Sequence, residues 1–308
     1  MIVVVCPGQG SQTPGFLTPW LELDSFAASI AAQQAASGID LTGFGTTADA
    51  DTIRDTAVAQ PLIVAAGVAT IAELLSGQSL AEAGIAGVAG HSVGEITAAV
   101  AAGVFTAEDG IKFVRERGNA MAKAAALETT SMAAVLGGDQ TVVEARLAEL
   151  GLEPANYNGG GQIVAAGSAE GIAALQAEPA AGTRVIPLQV AGAFHTRYMA
   201  PAVDTLAAYS ATVPVADPAV KLWSNNGGRL IESGSEFVSL LVSQVKSPVR
   251  WDLTMASLVE AGVTALIEVA PAGTLVGLAK RSMPGVETLA IKTPEQLDAA
   301  RTLIANHA

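Results

Sequence analysis

The motif Gly90-His91-Ser92-Val93-Gly94 constrains this chain more than any other feature of its sequence. It has the G-x-S-x-G spacing of a nucleophile elbow, in which a serine sits on a sharp turn between a strand and a helix. An apolar segment at 85–89 and a predicted helix at 95–102 supply that context. The start of a helix also offers unpaired N–H groups and a positive dipole to an oxyanion. We therefore expect Ser92 to be a nucleophile; the alternative is a glycine-lined turn with a hydrogen-bonding serine.

Apolar strands and helical segments alternate on both sides of this motif. Strands are predicted at 2–6, 88–90, 220–224, 263–269 and 286–291. Helices are predicted at 20–36, 57–75, 95–102, 107–126, 196–211, 235–245, 253–261, 275–281 and 294–306. Such alternation predicts a mostly parallel sheet that is covered by helices on both faces. We expect an α/β fold with a large α/β-hydrolase-like domain.

The segment 131–190 has a different order of elements. Strands are predicted at 132–136, 153–158, 163–166 and 184–190, and helices at 141–150 and 169–176. This is the β-α-β-β-α-β order of a ferredoxin-like unit, and the glycines at 159–161 suit a hairpin turn. We expect a small ferredoxin-like α+β domain at 129–191, inserted into a discontinuous large domain formed by 1–128 and 192–308.

Composition excludes several classes of function. The formal net charge of −13 over 308 residues makes nucleic acid an improbable partner, because phosphates must be neutralised by Lys and Arg. The single cysteine, Cys6, cannot form an intrachain disulfide, and its apolar neighbours predict an inert core thiol. With one cysteine and three histidines, no zinc or other metal site is expected.

Neither a signal peptide nor a membrane span is expected. The apolar start at 2–5 is short and lacks a cationic region before it. The longest uncharged run, 56–72, contains Gln60 and Pro61 and is shorter than the roughly 20 apolar residues that a spanning helix needs. We expect a cytoplasmic, soluble and monomeric protein without a membrane partner.

A nucleophilic serine needs a general base, and elimination among three histidines points to His195. His91 adjoins the serine and should point to the opposite face, whereas His307 lies at the end of the sequence. His195 falls at the predicted domain junction, where clefts form. The alternative is a capping or buried structural histidine. No acid partner stands out: Asp204, Asp217 and Asp252 are open by order alone, and a backbone carbonyl would also fix the tautomer.

With these residues in place, the whole chain resembles the malonyl-CoA:acyl carrier protein transacylase family of fatty acid synthesis. The motifs that carry the resemblance fall in family order: Pro7-Gly-Gln-Gly-Ser-Gln12, Gly90-His-Ser-Val-Gly-Glu95, Arg117-Gly-x-x-Met121, Gly192-Ala-Phe-His195, and Gln244 ahead of Pro248-Val-Arg-Trp251. Together they are far more specific than the elbow alone.

The resemblance implies a role for each matching position. Ser92 would carry the acyl group, His195 would be its base, and the main-chain carbonyl of Gln244 would orient the histidine. The backbone N–H groups of Gln9 and Val93 would form the oxyanion hole. The other implied site residues would bind substrate: Arg117, Met121, Phe194, Gln60 and Asn158.

Two features favour malonyl as the acyl group. Arg117 would bind its free carboxylate in a bidentate manner; the alternative is a solvated basic face shared with Arg115 and Lys123. Val93 and Phe194 are typical of malonyl-type members, and a bulky Phe194 leaves less room for an α-methyl branch. The sequence departs from the family's His-Ala-Phe-His pattern at Gly192.

The implied reaction is ping-pong, with malonyl-CoA and acyl carrier protein as partners. It uses a CoA thioester as substrate and no tightly bound cofactor. Carrier proteins are usually acidic, as this chain is, so docking would need a local cationic patch. The candidates by elimination, each of which would otherwise be an ordinary solvated charge, are Arg184, Arg197, Lys280 and Arg281.

Three competing interpretations remain. A serine esterase or thioesterase shares the elbow but would leave Arg117 without a purpose. A dinucleotide site after the first strand would need a third glycine where Thr13 stands. An acyltransferase of a polyketide pathway would use identical chemistry, and one sequence does not separate it from the fatty-acid enzyme.

Overall fold

The computed structural model describes residues 1–190 and 192–307, which form an α/β structure with two sheets. The strands are β1 (Ile2–Cys6), β2 (Ile85–Gly90), β3 (Thr130–Gly137), β4 (Glu153–Gly159), β5 (Gln162–Ser168), β6 (Thr183–Leu188), β7 (Lys221–Trp223), β8 (Val249–Arg250), β9 (Ala265–Glu268) and β10 (Glu287–Ala290).

The helices include two long ones in the core, α3 and α5. In chain order they are α1 (Asp24–Ser37), α2 (Leu41–Thr46), α3 (Thr56–Leu75), α4 (Gly94–Ala101), α5 (Ala107–Ala125), α6 (Gln140–Glu149), α7 (Ala169–Ala177), α8 (Ala200–Ser210), α9 (Gly234–Gln244), α10 (Trp251–Glu260), α11 (Thr274–Ser282) and α12 (Leu297–His307). Short 3-10 turns precede α1, α3, α8 and α12, at Trp20–Glu22, Thr52–Arg54, Arg197–Met199 and Pro294–Gln296.

One five-stranded sheet is parallel throughout, in the order β10-β9-β1-β2-β7. Its central strand β1 is fully buried along its whole length, which explains the unbroken apolar run at 2–6. Core side chains lie on both faces of this strand, with Val4 in one cluster and Val3 and Val5 in another. The predicted α/β class with a mostly parallel sheet is confirmed.

The second sheet is mixed, in the order β6-β3-β5-β4-β8. Its first four strands and the helices α6 and α7 follow one another as β-α-β-β-α-β, and their pairings are antiparallel. The two residues of β8 come from the later part of the chain and pair in parallel with β4. The boundaries of the small domain stay a prediction, and residue 191, its predicted end, lies outside the described residues, as does residue 308.

Helix α3 is long and apolar enough to cross a membrane by composition, but 72% of its most apolar window is buried within the protein. It packs against α5, α1 and α4 in the core around the parallel sheet. Two further differences from the sequence prediction concern short elements: α2 and β8, with six and two residues, were not predicted, since they show no clear periodicity.

Helix α4 approaches the ends of β1 and β2 so closely that two glycines are required. A Cβ atom on Gly94 would lie 2.1 Å from the carbonyl oxygen of Cys6, and one on Gly90 would lie 2.1 Å from the carbonyl carbon of Gly94. Both contacts are with backbone, which cannot move aside as a side chain can. The elbow therefore depends on both glycines for packing as well as for turning.

Gly94→Ala should lower the free energy of unfolding by roughly 1–3 kcal/mol, because it overpacks the contact between α4 and β1. A matched control is Gly277→Ala in α11, where an added Cβ would meet nothing within 4 Å. That change should be neutral or stabilising by up to about 1 kcal/mol, since Ala is the better helix former. Urea unfolding of both variants measures this; equal effects would contradict the packing argument.

Candidate active site

The turn between β2 and α4 holds Ser92 in a left-handed backbone conformation, with φ of 52°. Such a conformation is unfavourable for a non-glycine residue and must be held by its surroundings. On one side, the N–H of His91 donates to the carbonyl of Cys6 in β1. On the other, the Asn225 side chain accepts from the N–H of Ser92 at 2.8 Å and donates to the carbonyl of Gly90 at 2.7 Å.

Asn225 thereby continues the sheet beyond the end of β7. That strand pairs with β2 as far as Trp223, opposite Ala89. The Asn225 amide then supplies the acceptor and donor that the next backbone groups of a paired strand would supply. The turn therefore has hydrogen-bond partners on both sides, as a central strand of a sheet has.

Ser92 and His195 are brought together by this arrangement. Oγ of Ser92 lies 2.7 Å from Nε2 of His195, and Nδ1 of the same ring lies 2.8 Å from the main-chain carbonyl oxygen of Gln244. A carbonyl only accepts, so Nδ1 carries the proton and Nε2 is free to accept from the serine hydroxyl. His195 also has a positive φ, 62°, and its N–H donates to the carbonyl of Val245.

None of the aspartates considered from the sequence takes part in this dyad. Asp217 accepts from the N–H of Gly234, and Asp252 pairs with Arg250. Asp204 is exposed on α8. The carbonyl of Gln244 occupies the position where a triad acid would otherwise lie.

Two backbone N–H groups lie at the serine without an acceptor. Among the described residues, neither the N–H of Gln9 nor that of Val93 donates a hydrogen bond, and both residues line the same cleft as Ser92. Val93 is the residue before α4, where the positive end of the helix dipole adds to the local field. A developing oxyanion would find two donors here.

Arg117 is buried beneath the serine with 1% of its surface exposed, so the solvated basic face considered from the sequence is wrong for this residue. Nη1 donates to Oε1 of Gln60 at 2.7 Å, and Nη2 donates to Oε1 of Gln244 at 2.7 Å. Nη2 also lies 3.5 Å from Oγ of Ser92. Its buried Nε has no hydrogen-bond partner among the described residues, so one donor of the guanidinium is unsatisfied.

Burial shifts the pKa of three ionisable groups around Ser92, which are His195, Arg117 and the buried Glu95 of α4. It lowers the pKa of His195 to about 3, with the positive charge of Arg117 acting in the same direction. It lowers the pKa of Arg117 to about 10, which leaves the guanidinium charged at neutral pH. It raises the pKa of Glu95 to about 7, against the opposing effect of the hydrogen bonds that this carboxylate accepts.

Comparisons with known proteins agree over almost the whole chain. The acyl transferase domain matches residues 3–294. The malonyl CoA-acyl carrier protein transacylase of Mycobacterium tuberculosis is 51% identical over 298 residues, which cover 97% of this chain and 98% of that protein. The crystal structure of MCAT from Mycobacterium tuberculosis has a TM-score of 0.94, covering 98% of this chain and 99% of the other.

This chain belongs to the malonyl CoA-acyl carrier protein transacylase family. A more distant structure in the same comparison is a type II PKS acyl-carrier protein in complex with its malonyl-transacylase. It is 29% identical, has a TM-score of 0.89, and covers 98% of this chain and 99% of that one.

The family motifs meet at one cleft between the two sheets. The predicted site residues that line it are Gln9, Gln60, Ser92, Val93, Met121, Asn158, Phe194 and His195. Arg117 and Gln244 lie behind Ser92, both buried. His91, expected to point away, also lines the cleft, where Nε2 lies 2.9 Å from Oδ1 of Asn158. Gln60 donates to the sulfur of Met121 at 3.4 Å.

Sequence reasoning missed two polar residues of this site. Glu95 belongs to the elbow motif, yet its burial had no local signal; Asn225 stands in an asparagine pair after a short strand, a pattern common in loops. Within residues 1–190 and 192–307, no cluster of three or more His, Cys, Asp or Glu could hold a metal ion.

The lowered pKa of His195 predicts how the reactivity of Ser92 depends on pH. A base is active above its pKa, so the rate at which an uncharged sulfonyl fluoride modifies Ser92 should stay nearly flat from pH 8 to pH 5. A histidine with the ordinary pKa of about 6.5 would lose roughly 30-fold over that range. A rate that halves near pH 6.5 would contradict the burial argument. Labelling reactions that are quenched at set times and read out by intact mass measure this dependence of the rate on pH.

Proposed function

We propose that this protein transfers the malonyl group of malonyl-CoA to the phosphopantetheine thiol of acyl carrier protein, through an ester on Ser92. The observation that carries the proposal is the buried guanidinium of Arg117, whose Nη2 lies 3.5 Å from the serine oxygen and whose Nε has no hydrogen-bond partner among the described residues. An acyl group with a free carboxylate would pair with this buried positive charge, whereas an acetyl group would leave the charge without a counter-ion at the serine. The names of the relatives support the same substrate and acceptor.

In the first half of the reaction, Oγ of Ser92 attacks the thioester carbonyl while Nε2 of His195 takes the hydroxyl proton. The N–H groups of Gln9 and Val93 hold the oxyanion. Collapse breaks the carbon–sulfur bond, and CoA leaves as a thiol with the proton from His195. Malonyl remains as an ester on Ser92.

In the second half, the thiol of the carrier takes the place of CoA. His195 accepts the thiol proton, the sulfur attacks the ester carbonyl, and the same two N–H groups hold the oxyanion. Ser92 leaves as an alkoxide and regains the proton from His195. We further propose that the protein needs no tightly bound cofactor, is a monomer and is located in the cytoplasm.

A substrate carboxylate that pairs with Arg117 would also affect the basicity of His195. The charge of Arg117 lowers the pKa of His195, so an unneutralised guanidinium opposes formation of the imidazolium. A malonyl carboxylate paired with Arg117 would offset it and make His195 a stronger base when the correct substrate is bound. Binding and proton transfer would then favour the same acyl group.

Arg117→Ala should lower kcat/KM for malonyl-CoA by about 30- to 4,000-fold, the effect of removing one partner of a buried charge pair. The value for acetyl-CoA should fall far less or rise. Arg115→Ala is the matched control, since Arg115 lies on the same helix and pairs with Glu116. Equal losses for malonyl-CoA and acetyl-CoA would contradict the role of Arg117.

Ser92→Ala should not become labelled by malonyl-CoA, and labelling of this variant would contradict the role of Ser92 as the nucleophile.

For the carrier surface, we propose Lys280 and Arg281. Both are exposed at the end of α11, whose Leu275 and Leu278 line the cleft. Arg281 donates to Oε1 of Gln162, another cleft residue, at 3.4 Å. Of the remaining candidates, Arg197 is ion-paired with Glu153, and Arg184 is exposed on β6.

Reversing the charge at Lys280 and Arg281 together should raise KM for the carrier by about 10-fold or more and leave self-acylation by malonyl-CoA unchanged. Lys123→Glu, an exposed change on α5, is the control. If the double variant transfers to the carrier normally at low salt, the docking assignment is wrong.

A polyketide carrier is the second candidate acceptor, because one matched structure is a malonyl-transacylase with a type II PKS acyl-carrier protein. A panel of malonyl-, methylmalonyl- and acetyl-CoA against fatty-acid and polyketide carriers separates the two. A thioesterase would instead release free malonate at the rate at which malonyl-CoA is consumed.

A further inference from the structure

A buried carboxylate that the reaction steps do not use lies behind the elbow. Glu95, in the first turn of α4, is 1% exposed. One carboxylate oxygen accepts from the backbone N–H of Asn225 at 2.5 Å, and the other accepts from the side-chain amide nitrogen of Gln244. A fully buried acid is rare unless it is paired or has a task.

Glu95 and Arg117 lie at opposite ends of one amide. Nε2 of Gln244 donates to Glu95 and to the carbonyl oxygen of Ser92, and Oε1 of Gln244 accepts from Nη2 of Arg117. Both carboxylate oxygens of Glu95 accept from N–H groups, as they do in the ionised form, whereas a guanidinium only donates. The Gln244 amide therefore has one favoured orientation, in which its nitrogen faces Glu95 and its oxygen faces Arg117.

Glu95 also compensates the positive charge of Arg117 across this chain of contacts. Among the described residues, no carboxylate forms a direct ion pair with Arg117, whose hydrogen-bond partners are the neutral groups of Gln60, Gln244 and Ser92. In its ionised form, Glu95 supplies a negative charge one amide away from the guanidinium. A buried cation with no counter-charge is costly and tends to move towards solvent, so Glu95 favours the position of the guanidinium beneath the serine.

We propose that Glu95 is a positioning residue, which acts through the side chain of Gln244 to hold Arg117 beneath Ser92 and so sets the preference for acyl groups that bear a carboxylate. This inference rests on the proposed function. It gives Gln244 two separate duties: its main-chain carbonyl orients His195, and its side chain orients Arg117.

Glu95→Gln tests the proposal with almost no change in shape. An amide at this position accepts from Asn225 with its oxygen but then presents its own N–H₂ group to the Gln244 nitrogen. Relief of that clash turns the Gln244 amide over, which places its nitrogen against Arg117. The ratio of kcat/KM for malonyl-CoA to that for acetyl-CoA should fall by about 10- to 100-fold, with most of the loss in KM for malonyl-CoA.

Gln244→Met is a second variant that bears on the same claim. It retains the main-chain carbonyl that His195 uses and removes the amide between Glu95 and Arg117. The malonyl-to-acetyl ratio should fall as in Glu95→Gln. In Glu95→Gln an uncharged sulfonyl fluoride should modify Ser92 within about 3-fold of the wild-type rate, because the Glu95 carboxylate bonds to Asn225 and Gln244 rather than to Ser92 or His195 directly.

Glu268→Gln is the matched control, since Glu268 is also fully buried and, within the part of the chain that the structure describes, accepts only from backbone N–H groups at the start of α11. It should lower stability yet retain the wild-type ratio. The proposal is overturned if malonyl and acetyl rates fall together in Glu95→Gln and Gln244→Met, or if the ratio stays unchanged in both. If Arg117→Ala also leaves the ratio unchanged, the proposed function fails; if only Arg117→Ala changes it, the role of Glu95 alone fails.

Discussion

The left-handed turn at Ser92 is the constraint on which the rest of the site depends. A serine with φ of 52° is held there by β1 on one side and by the Asn225 amide on the other. This conformation aims the hydroxyl at His195 and leaves the N–H of Val93 free at the start of α4. The glycines at 90 and 94 allow the helix to approach closely enough for this geometry. The elbow is thus a product of the parallel sheet, since neighbouring strands supply its clamps.

Behind the turn, one residue connects His195 to the buried cation of Arg117. Gln244 meets His195 with its backbone and Arg117 with its side chain, at 2.8 Å and 2.7 Å. Among the described residues, no acid lies at Nδ1 of His195, where a carboxylate would add a negative charge close to the guanidinium. A carbonyl fixes the tautomer without adding a charge, which leaves Arg117 available to a substrate carboxylate.

Much of this could be predicted from the sequence, for identifiable reasons. Strand β1 and helices such as α3 and α5 have long, unambiguous patterns, and the elbow has a motif with a mechanical explanation. His195 followed from counting three histidines, and Gln244 from the family resemblance. The rest depended on tertiary contacts. Asn225 acts where β7 has already ended, and Glu95 looks like any acid in a first helical turn until its burial is known. His91 also reaches the cleft, where it meets Asn158, because a left-handed turn does not alternate its side chains as an extended strand does.

The central claim is that a single buried cation beneath a serine ester selects the acyl group. It is tested most directly by a crystal structure of the protein trapped after exposure to malonyl-CoA without carrier. Our account predicts continuous density from Oγ of Ser92 to a malonyl group whose carboxylate is paired with the guanidinium of Arg117. An acyl group attached elsewhere, or a malonyl ester on Ser92 whose carboxylate faces solvent while Arg117 keeps its present partners, would contradict it.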